Sequence, residues 1–471
     1  MASRKDLLQA HRFLGRRVDS ALVIHETDPE QPPFRRPVGA AAGSLALALV
    51  ALLAVGAYGF LKPGGDRAWR DGRSVIVVKE TGARYVFVGG HLHPVLNYTS
   101  ALLALGRSAA TRTVSRESLI GVPRGPAIGI PGAPDTLPAA GRLLTGGWSL
   151  CSRPTADPTG ADTDESVLLA GAEPGGARPL GESALMVSVP TTGDQYLIWH
   201  GHHHRIRQSD TVAVGLALHA DPQARVGPAL VDILPAGDTI APLPVRDAGR
   251  PSRAVPGRAG LRIGQLLVVR TAGGATQHYL AEADRLRAIT ELQYEIQLAA
   301  RPTTAAYPGE EPAGLPLGLT AAADATLGPL SESEASAPAS RPGFAATGVG
   351  PVCVTYDDGS TVPRVSAGGE LPPDESTVPT ARRTAAGLPL ADRVYVPPGR
   401  AVLAEAMPST RAAAGTLVLV TDQGRGHPLA AREVLGVLGY GRARPVRLPA
   451  SLVARIPLGA GLDPAGARTP A

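Results

Sequence analysis

The chain has 471 residues, 44% of them apolar but only 4% aromatic, so it can bury a sizeable core built chiefly from Leu, Val, Ala and Ile. Its 56 Gly and 45 Pro make it loop-rich without a collagen-like or wholly disordered composition. The net charge is only +5, and no dense Lys/Arg run is interleaved with aromatics, which argues against nucleic acid as a partner. Lysine occurs only at Lys5, Lys62 and Lys79.

Residues 4–24 carry helical periodicity. Leu7, Ala10, Leu14, Val18 and Ala21 recur at spacings of three and four, and Lys5, Arg12 and Arg16 fall on another stripe. A basic amphipathic helix of this kind suits an anionic lipid surface or a partner helix, and equally a solvated face that obeys the positive-inside bias. Asp28-Pro29, Pro32, Pro33 and Pro37 are expected to end this helix before the next element.

Residues 38–61 contain no charged side chain. At 1.5 Å rise per residue they reach roughly 36 Å, more than the ~30 Å hydrocarbon core of a bilayer. This is the pattern of a transmembrane helix, flanked by Arg35 and Arg36 on one side and Lys62 on the other. Phe34, Tyr58, Phe60 and Trp69 suit the two interfaces. The stretch is too long for the core of a cleaved signal peptide, and 37 residues precede it, so an uncleaved anchor is expected. Charge leaves the orientation open, because basic residues lie on both sides. The Arg35–Arg36 pair favours an N-terminus inside, and so do the two cysteines, Cys151 and Cys353, both beyond the span. In an exported region they read as one disulfide, the alternative being two unrelated buried thiols.

Beyond the span a pattern recurs: an apolar strand, a short Gly turn, a second strand, then an apolar or helical stretch. It appears at residues 75–103, 186–218, 266–298 and 417–440, with a fainter hairpin at 352–365. Thr-Gly, Gly-Gly and Asp-Gly turns between β-branched runs are hairpin signals. Each copy is too small to bury a core alone, so the copies must pack on one another or on a shared centre. The expected fold class is α+β: one N-terminal transmembrane helix, then repeated β-hairpin–helix modules around a central mixed α/β core. The expected domains are a cytoplasmic tail at 1–37, the span at 38–61, and an extracytoplasmic region at 62–471. Its modules fall near 75–105, 184–220, 264–300 and 350–440. Stretches 155–181, 246–260, 303–350 and 372–388 are rich in Pro, Ala, Gly and Asp and read as loops or linkers.

No P-loop, G-x-S-x-G, H-E-x-x-H or G-x-G-x-x-G motif is present, which removes the common warrants for an enzyme. His200, His202, His203 and His204 form the one tempting metal cluster. On a strand His202 and His204 would share a face, but the segment aligns with residues 90–94 and with 283–285, so it also reads as the polar end of a repeated hairpin. Asp357 and Asp358 precede Gly359 in a turn, which is a poor setting for a paired-carboxylate catalyst. Trp148 is expected to pack beside Cys151. No residue is nominated as catalytic, cofactor-binding or metal-ligating.

Several segments together resemble the EccB family of the type VII (ESX) secretion apparatus of actinobacteria. They are Gln9-Ala10-His11-Arg12-Phe13-Leu14, the Arg35-Arg36 junction with the span, and His93-Pro94-Val95-Leu96-Asn97-Tyr98-Thr99-Ser100-Ala101. The likeness continues through Gly125-Pro126-Ala127-Ile128-Gly129-Ile130-Pro131-Gly132-Ala133-Pro134, Trp148-Ser149-Leu150-Cys151, Leu448-Pro449-Ala450 and Leu462-Asp463-Pro464. The resemblance implies a non-catalytic core subunit of a cell-membrane complex that bridges inner membrane and envelope during export of small helical proteins. It implies partners: other type VII membrane subunits, including an FtsK/SpoIIIE-type motor ATPase, with homo- and hetero-oligomers. It also implies four repeats around a core with one disulfide, which Cys151 and Cys353 match, and no cofactor. Some family members are described as ATPases, so an envelope-facing ATPase using ATP is one alternative. The repeated hairpins offer another, a cell-wall-binding module. The low-complexity stretch 303–350 departs from the family pattern and puts the geometry of the third and fourth repeats in question.

Overall fold

The computed structural model describes residues 3–25, 35–61, 68–156, 159–160, 162–221, 223–328, 336–346 and 350–471. It divides into two units: residues 1–71 with 77–83 and 112–122, and the remainder of the chain.

In the first unit a helix, α1, runs over Arg4–Ile24. Ser3 starts it with a capping box: its hydroxyl accepts from Lys5 N at 3.1 Å, and Asp6 Oδ2 accepts from Ser3 N at 2.9 Å. His25, in the left-handed conformation, ends it. Leu7, Leu14 and Val18 lie exposed along it. A second helix, α2, spans Arg35–Leu61. Pro37 does not precede this helix, as the sequence suggested, but lies in its first turn, where a missing N–H costs nothing. Val38–Ala57 is long and apolar enough to cross a membrane, with mean hydropathy 2.4 and none of it buried. Phe34, Lys62, Pro32 and Pro33 lie outside the described residues. Trp69 is not an interfacial anchor: it is fully buried and its indole N–H donates to Ser118 Oγ at 2.8 Å. An indole buried this way satisfies its one donor inside the fold, with no need of a membrane interface.

The second unit is organised around a seven-stranded sheet in the order 378–379, 393–395, 162–169, 148–156, 352–356, 364–367, 178–179. Its central strands are Trp148–Ala156, Asp162–Leu169 and Val352–Tyr356. They are covered on both faces. Trp148, Leu150, Leu168 and Val354 belong to one apolar cluster, and Cys151, Val167, Leu169 and Cys353 to another. The alternation is the two-residue period of a strand, and burial on both sides explains the unbroken apolar run.

Three complete modules lie in the same unit; the second and fourth pack on this sheet, and the third meets the second. The second is Leu185–Val189, Asp194–Trp199 and His202–Ile206, followed by the helix Ser209–Gly215. The third is Leu266–Arg270, Thr276–Ala281 and Leu286–Ile289, followed by Glu291–Leu298, whose start Thr290 and Gln293 fix with a capping box. The fourth is Ala401–Met407, Thr416–Thr421 and Gly426–Pro428, followed by Val434–Val437. In each, a later strand returns to pair parallel with the first: Gln223–Arg225, Gly314–Pro316 and Val446–Pro449. The first module contributes to this unit the antiparallel pair Arg84–Val88 and His91–Pro94 and the helix Tyr98–Leu105, capped by Asn97.

These boundaries correct the expected fourth repeat. The hairpin at 352–365 belongs to the central sheet, pairing with Trp148–Ala156, and every residue of Val352–Tyr356 is buried. The fourth module starts only at Ala401, so Thr416–Thr421 is its second strand, not its first. Stretch 155–181 is not a linker, because it holds the central strand Asp162–Leu169, and stretch 303–350 supplies the edge strand Gly314–Pro316.

Alternation also shows how modules share cores. In the fourth, Val402, Ala404, Val418 and Val420 join the central cluster, while Leu403, Leu417 and Leu419 join Ala101, Leu102 and Leu103 of the first-module helix. In the second, Leu185, Val187 and Ile198 face the centre, while Met186 and Leu197 meet Leu292 and Ile296 of the third-module helix. The second and fourth modules thus share their cores with a neighbour, whereas the third covers one face of its sheet from its own segment, with Leu267, Val269 and Tyr279 packed among Ala254, Val255, Leu261 and Leu317.

Candidate functional site

The histidine cluster does not converge on a point. His200 sits in the turn at φ 45°, stacks on Trp199 with ring centroids 4.0 Å apart, and meets Glu182 at 3.0 Å. His202 Nδ1 contacts its neighbour's carbonyl, His200 O, at 3.0 Å. His203 Nδ1 lies 3.1 Å from Leu234 O, and His204 Nδ1 lies 2.8 Å from Asp238 O. Burial holds the His203 and His204 pKa values below the ordinary 6.5, although the backbone hydrogen bonds oppose this. Both rings are therefore neutral at pH 7, with Nδ1–H donating to the carbonyl. Among the described residues no group of three or more His, Cys, Asp or Glu is placed to hold a metal.

His204 instead belongs to a device found at the same place in three modules. The third strand of the hairpin is met by a returning loop of sequence Pro-x-Gly some thirty residues on. In the first module Leu92 N donates to Pro123 O, Gly125 N donates to Leu92 O, and His93 Nδ1 reaches Pro126 O at 3.0 Å. In the second, His203 N donates to Pro235 O, Gly237 N to His203 O, and His204 reaches Asp238 O. In the fourth, Gly426 N donates to Pro457 O, Gly459 N to Gly426 O, and His427 Nδ1 reaches Ala460 O at 3.0 Å. Three residues past each glycine the loop bridges the strand again, at Ile128–Val95, Ile240–Ile206 and Leu462–Leu429.

The glycine is obligatory on contact grounds. A Cβ on Gly125, Gly237 or Gly459 would overlap the imidazole of His93, His204 or His427. His204 and His427 are 1% exposed, and among the described residues their buried Nε2 atoms have no partner. Burial also lowers the His427 pKa. The arrangement is a histidine–glycine lock that pins the returning loop to the hairpin edge. The sequence did carry its signal: Pro-x-Gly at 123–125, 235–237 and 457–459, each 30 to 33 residues after a histidine. The third module keeps the backbone bridge, with Leu286 N donating to Thr326 O and Gly328 N to Leu286 O, but Arg287 stands in the histidine's place.

Cys151 and Cys353 are joined in a disulfide. They are direct partners in the antiparallel register of Trp148–Ala156 and Val352–Tyr356, with Cα atoms 4.0 Å apart and no exposed surface. Trp148 is not packed on it. Three residues away on the strand, it faces the other way, into the cluster of Leu150 and Val354. Asp357 is held by Arg364 at 3.0 Å, and Asp358 accepts from Arg447 N at 2.8 Å, so the two carboxylates have separate tethers. Arg35 and Arg36 lie in the first turn of α2, and Lys62 lies outside the described residues.

One helix apolar enough to cross a membrane and a disulfide-closed array of interlocked hairpin modules define a repeat scaffold with one candidate membrane span. The family model for the type VII secretion system ESX-1 transport transmembrane domain B, EccB, matches residues 1–470, and the chain belongs to that family. ESX-2 secretion system ATPase EccB2 of Mycobacterium tuberculosis is 32% identical over 314 residues. That alignment covers 65% of this chain and 61% of the relative's own length. Among solved structures, the fold is similar to a chain of an intact ESX-5 inner membrane complex, with TM-score 0.65, 23% identity, and coverage of 100% of this chain and 96% of that one. It is also similar to a chain of the EccB3 dimer from the ESX-3 core complex, with TM-score 0.63, 23% identity, and coverage of 84% and 100%.

Proposed function

We propose that the chain is a non-catalytic core membrane component of a type VII secretion complex, bridging the inner membrane and the envelope during export of small helical proteins. The family match over residues 1–470, together with the apolar helix at Val38–Ala57, is the observation that carries this reading. In it, residues 1–37 lie in the cytoplasm, and the basic amphipathic α1 meets the cytosolic machinery. The partners are other type VII membrane subunits, including an FtsK/SpoIIIE-type ATPase, and further copies of this chain. The array outside is a rigid spacer: interlocked modules and a buried disulfide favour transmission of force and position over turnover. The test is deletion of the gene and measurement of secreted small helical substrates. Loss of export, restored by the full chain, supports the proposal, whereas undiminished export in the deletion strain sinks it.

The word ATPase in the relative's name favours a second reading, an envelope-facing ATPase with ATP as its cofactor. Its test is phosphate release by the purified full chain in detergent. Turnover abolished by one carboxylate substitution would replace the structural reading with a catalytic one.

A further inference from the structure

The third module lacks the lock, and a cavity opens there. In the other three modules an imidazole fills the space above the loop glycine. At Gly328 nothing does so as closely: the atoms nearest a Cβ at this position are Arg285 Cδ and Leu286 O, both at 3.6 Å. Arg287, at the histidine's place, lines a cavity of about 780 Å³ instead, between the returning loop of the second module and the edge strand and helix start of the third. This volume falls within the range of small-molecule sites. Lining residues include Asp238, Thr239, Arg287, Thr290, Gln293 and Gly328.

The charges in the lining are unequally used. Arg285 pairs with Glu282 at 2.7 Å, so those two satisfy each other. Among the described residues the Arg287 guanidinium has neither an ion-pair nor a hydrogen-bond partner, although the residue is half-buried. A guanidinium in this state keeps five donors in a fork that matches a carboxylate. Around it are hydrogen-bonding side chains, Thr239, Thr290 and Gln293, and the exposed Asp238, which accepts from a hydroxyl or an ammonium. The remaining wall includes apolar side chains such as Ile240 and Leu292, so it suits a small body that carries hydrogen-bonding groups on one side, and its one unpaired cation suits an anionic group.

We propose that this cavity binds a small carboxylate on a polar, hydrogen-bonding body, with the carboxylate forked onto Arg287. The chemistry is shared by a peptide C-terminus and a sugar acid. The site goes beyond the secretion role and stands or falls separately from it.

The experiment is calorimetric titration of the purified full chain in detergent at pH 8 with alanyl-alanine, N-acetylmuramic acid and N-acetylglucosamine. The neutral sugar is the control for the acid. At least one carboxylate probe is expected to bind, and which one binds identifies the source. Arg287→Gln should weaken it by roughly tenfold to a hundredfold, the loss of a charge-assisted hydrogen bond, and Arg287→Lys should restore part of that. Arg287→His supplies the ring that the other modules place over glycine. It removes the guanidinium and lays a ring toward Gly328, so it should abolish carboxylate binding while the thermal unfolding midpoint stays level or rises, and a folded variant remains available if Arg287→Gln is unstable. The proposal is overturned if neither carboxylate probe binds, if the neutral sugar binds as well as the acid, or if Arg287→His binds like the natural chain.

Discussion

Replacing Gly237 by Ala tests the lock in the second module. The new methyl group takes space occupied by the His204 imidazole, so the ring must leave a site that is 1% exposed and give up its 2.8 Å bond to Asp238 O. Gly237 has no left-handed φ, so the cost is steric and polar rather than backbone strain. Overpacking a filled interior costs about 1–3 kcal/mol, and a lost internal hydrogen bond about 1 kcal/mol. The sum, about 2–4 kcal/mol, falls on the returning loop and the strand His202–Ile206. Hydrogen exchange by mass spectrometry reads it locally: amides of 203–206 should exchange roughly 30- to 1000-fold faster. His204→Ala opens room for the methyl, so in the double variant the two effects should fall short of additivity by about 0.5–3 kcal/mol. Exchange within threefold of the natural chain, or strictly additive effects, would refute the lock.

His204 and His427 have folded-state pKa values held below 6.5 by burial, so the unfolded chain binds more protons than the folded one between those values and 6.5. Their contribution to stability is full above about 6.5 and is lost as pH falls toward the folded values, and replacing both by Asn should flatten that part of a urea-midpoint profile. Breaking the disulfide with Cys151→Ser and Cys353→Ser should cost about 5 kcal/mol in the chain-entropy model, for a closure 202 residues apart, measured by denaturant unfolding. Leu150→Ala, in the doubly covered centre of the main sheet, should cost about 2–5 kcal/mol by the same measurement. If the tail lies inside, an impermeant maleimide should label an Ala272→Cys variant in intact cells but an Ala10→Cys variant only after permeabilisation.

The elements that were legible in the sequence have local causes. The span declares itself by 24 uncharged residues, and the second and third hairpins by Gly193 and Gly274, both at positive φ in their turns. What escaped has non-local causes. The strand Ala401–Met407 reads Ala-Val-Leu-Ala-Glu-Ala-Met, a good helix sequence, and becomes a strand because its neighbours on both edges and both faces require one. Asp162–Leu169 begins with three acids in four residues and looks like a loop; Arg153, paired with Glu165, lets the polar end extend beyond the core. Trp69 looked like a membrane anchor because aromatic residues near a span usually are, but its partner Ser118 lies 49 residues on. The lock escaped because its histidine and glycine are 32 or 33 residues apart, farther than any periodicity window reaches. The histidines were visible as a cluster, and only the fold separates their duties.

The central claim is membership of a secretion membrane complex, and affinity purification of the intact chain from its own membranes in mild detergent tests it most directly. The account predicts that other type VII membrane subunits, the FtsK/SpoIIIE-type ATPase among them, co-purify in fixed proportion. Recovery of the chain alone, from cells that express those subunits, would contradict it.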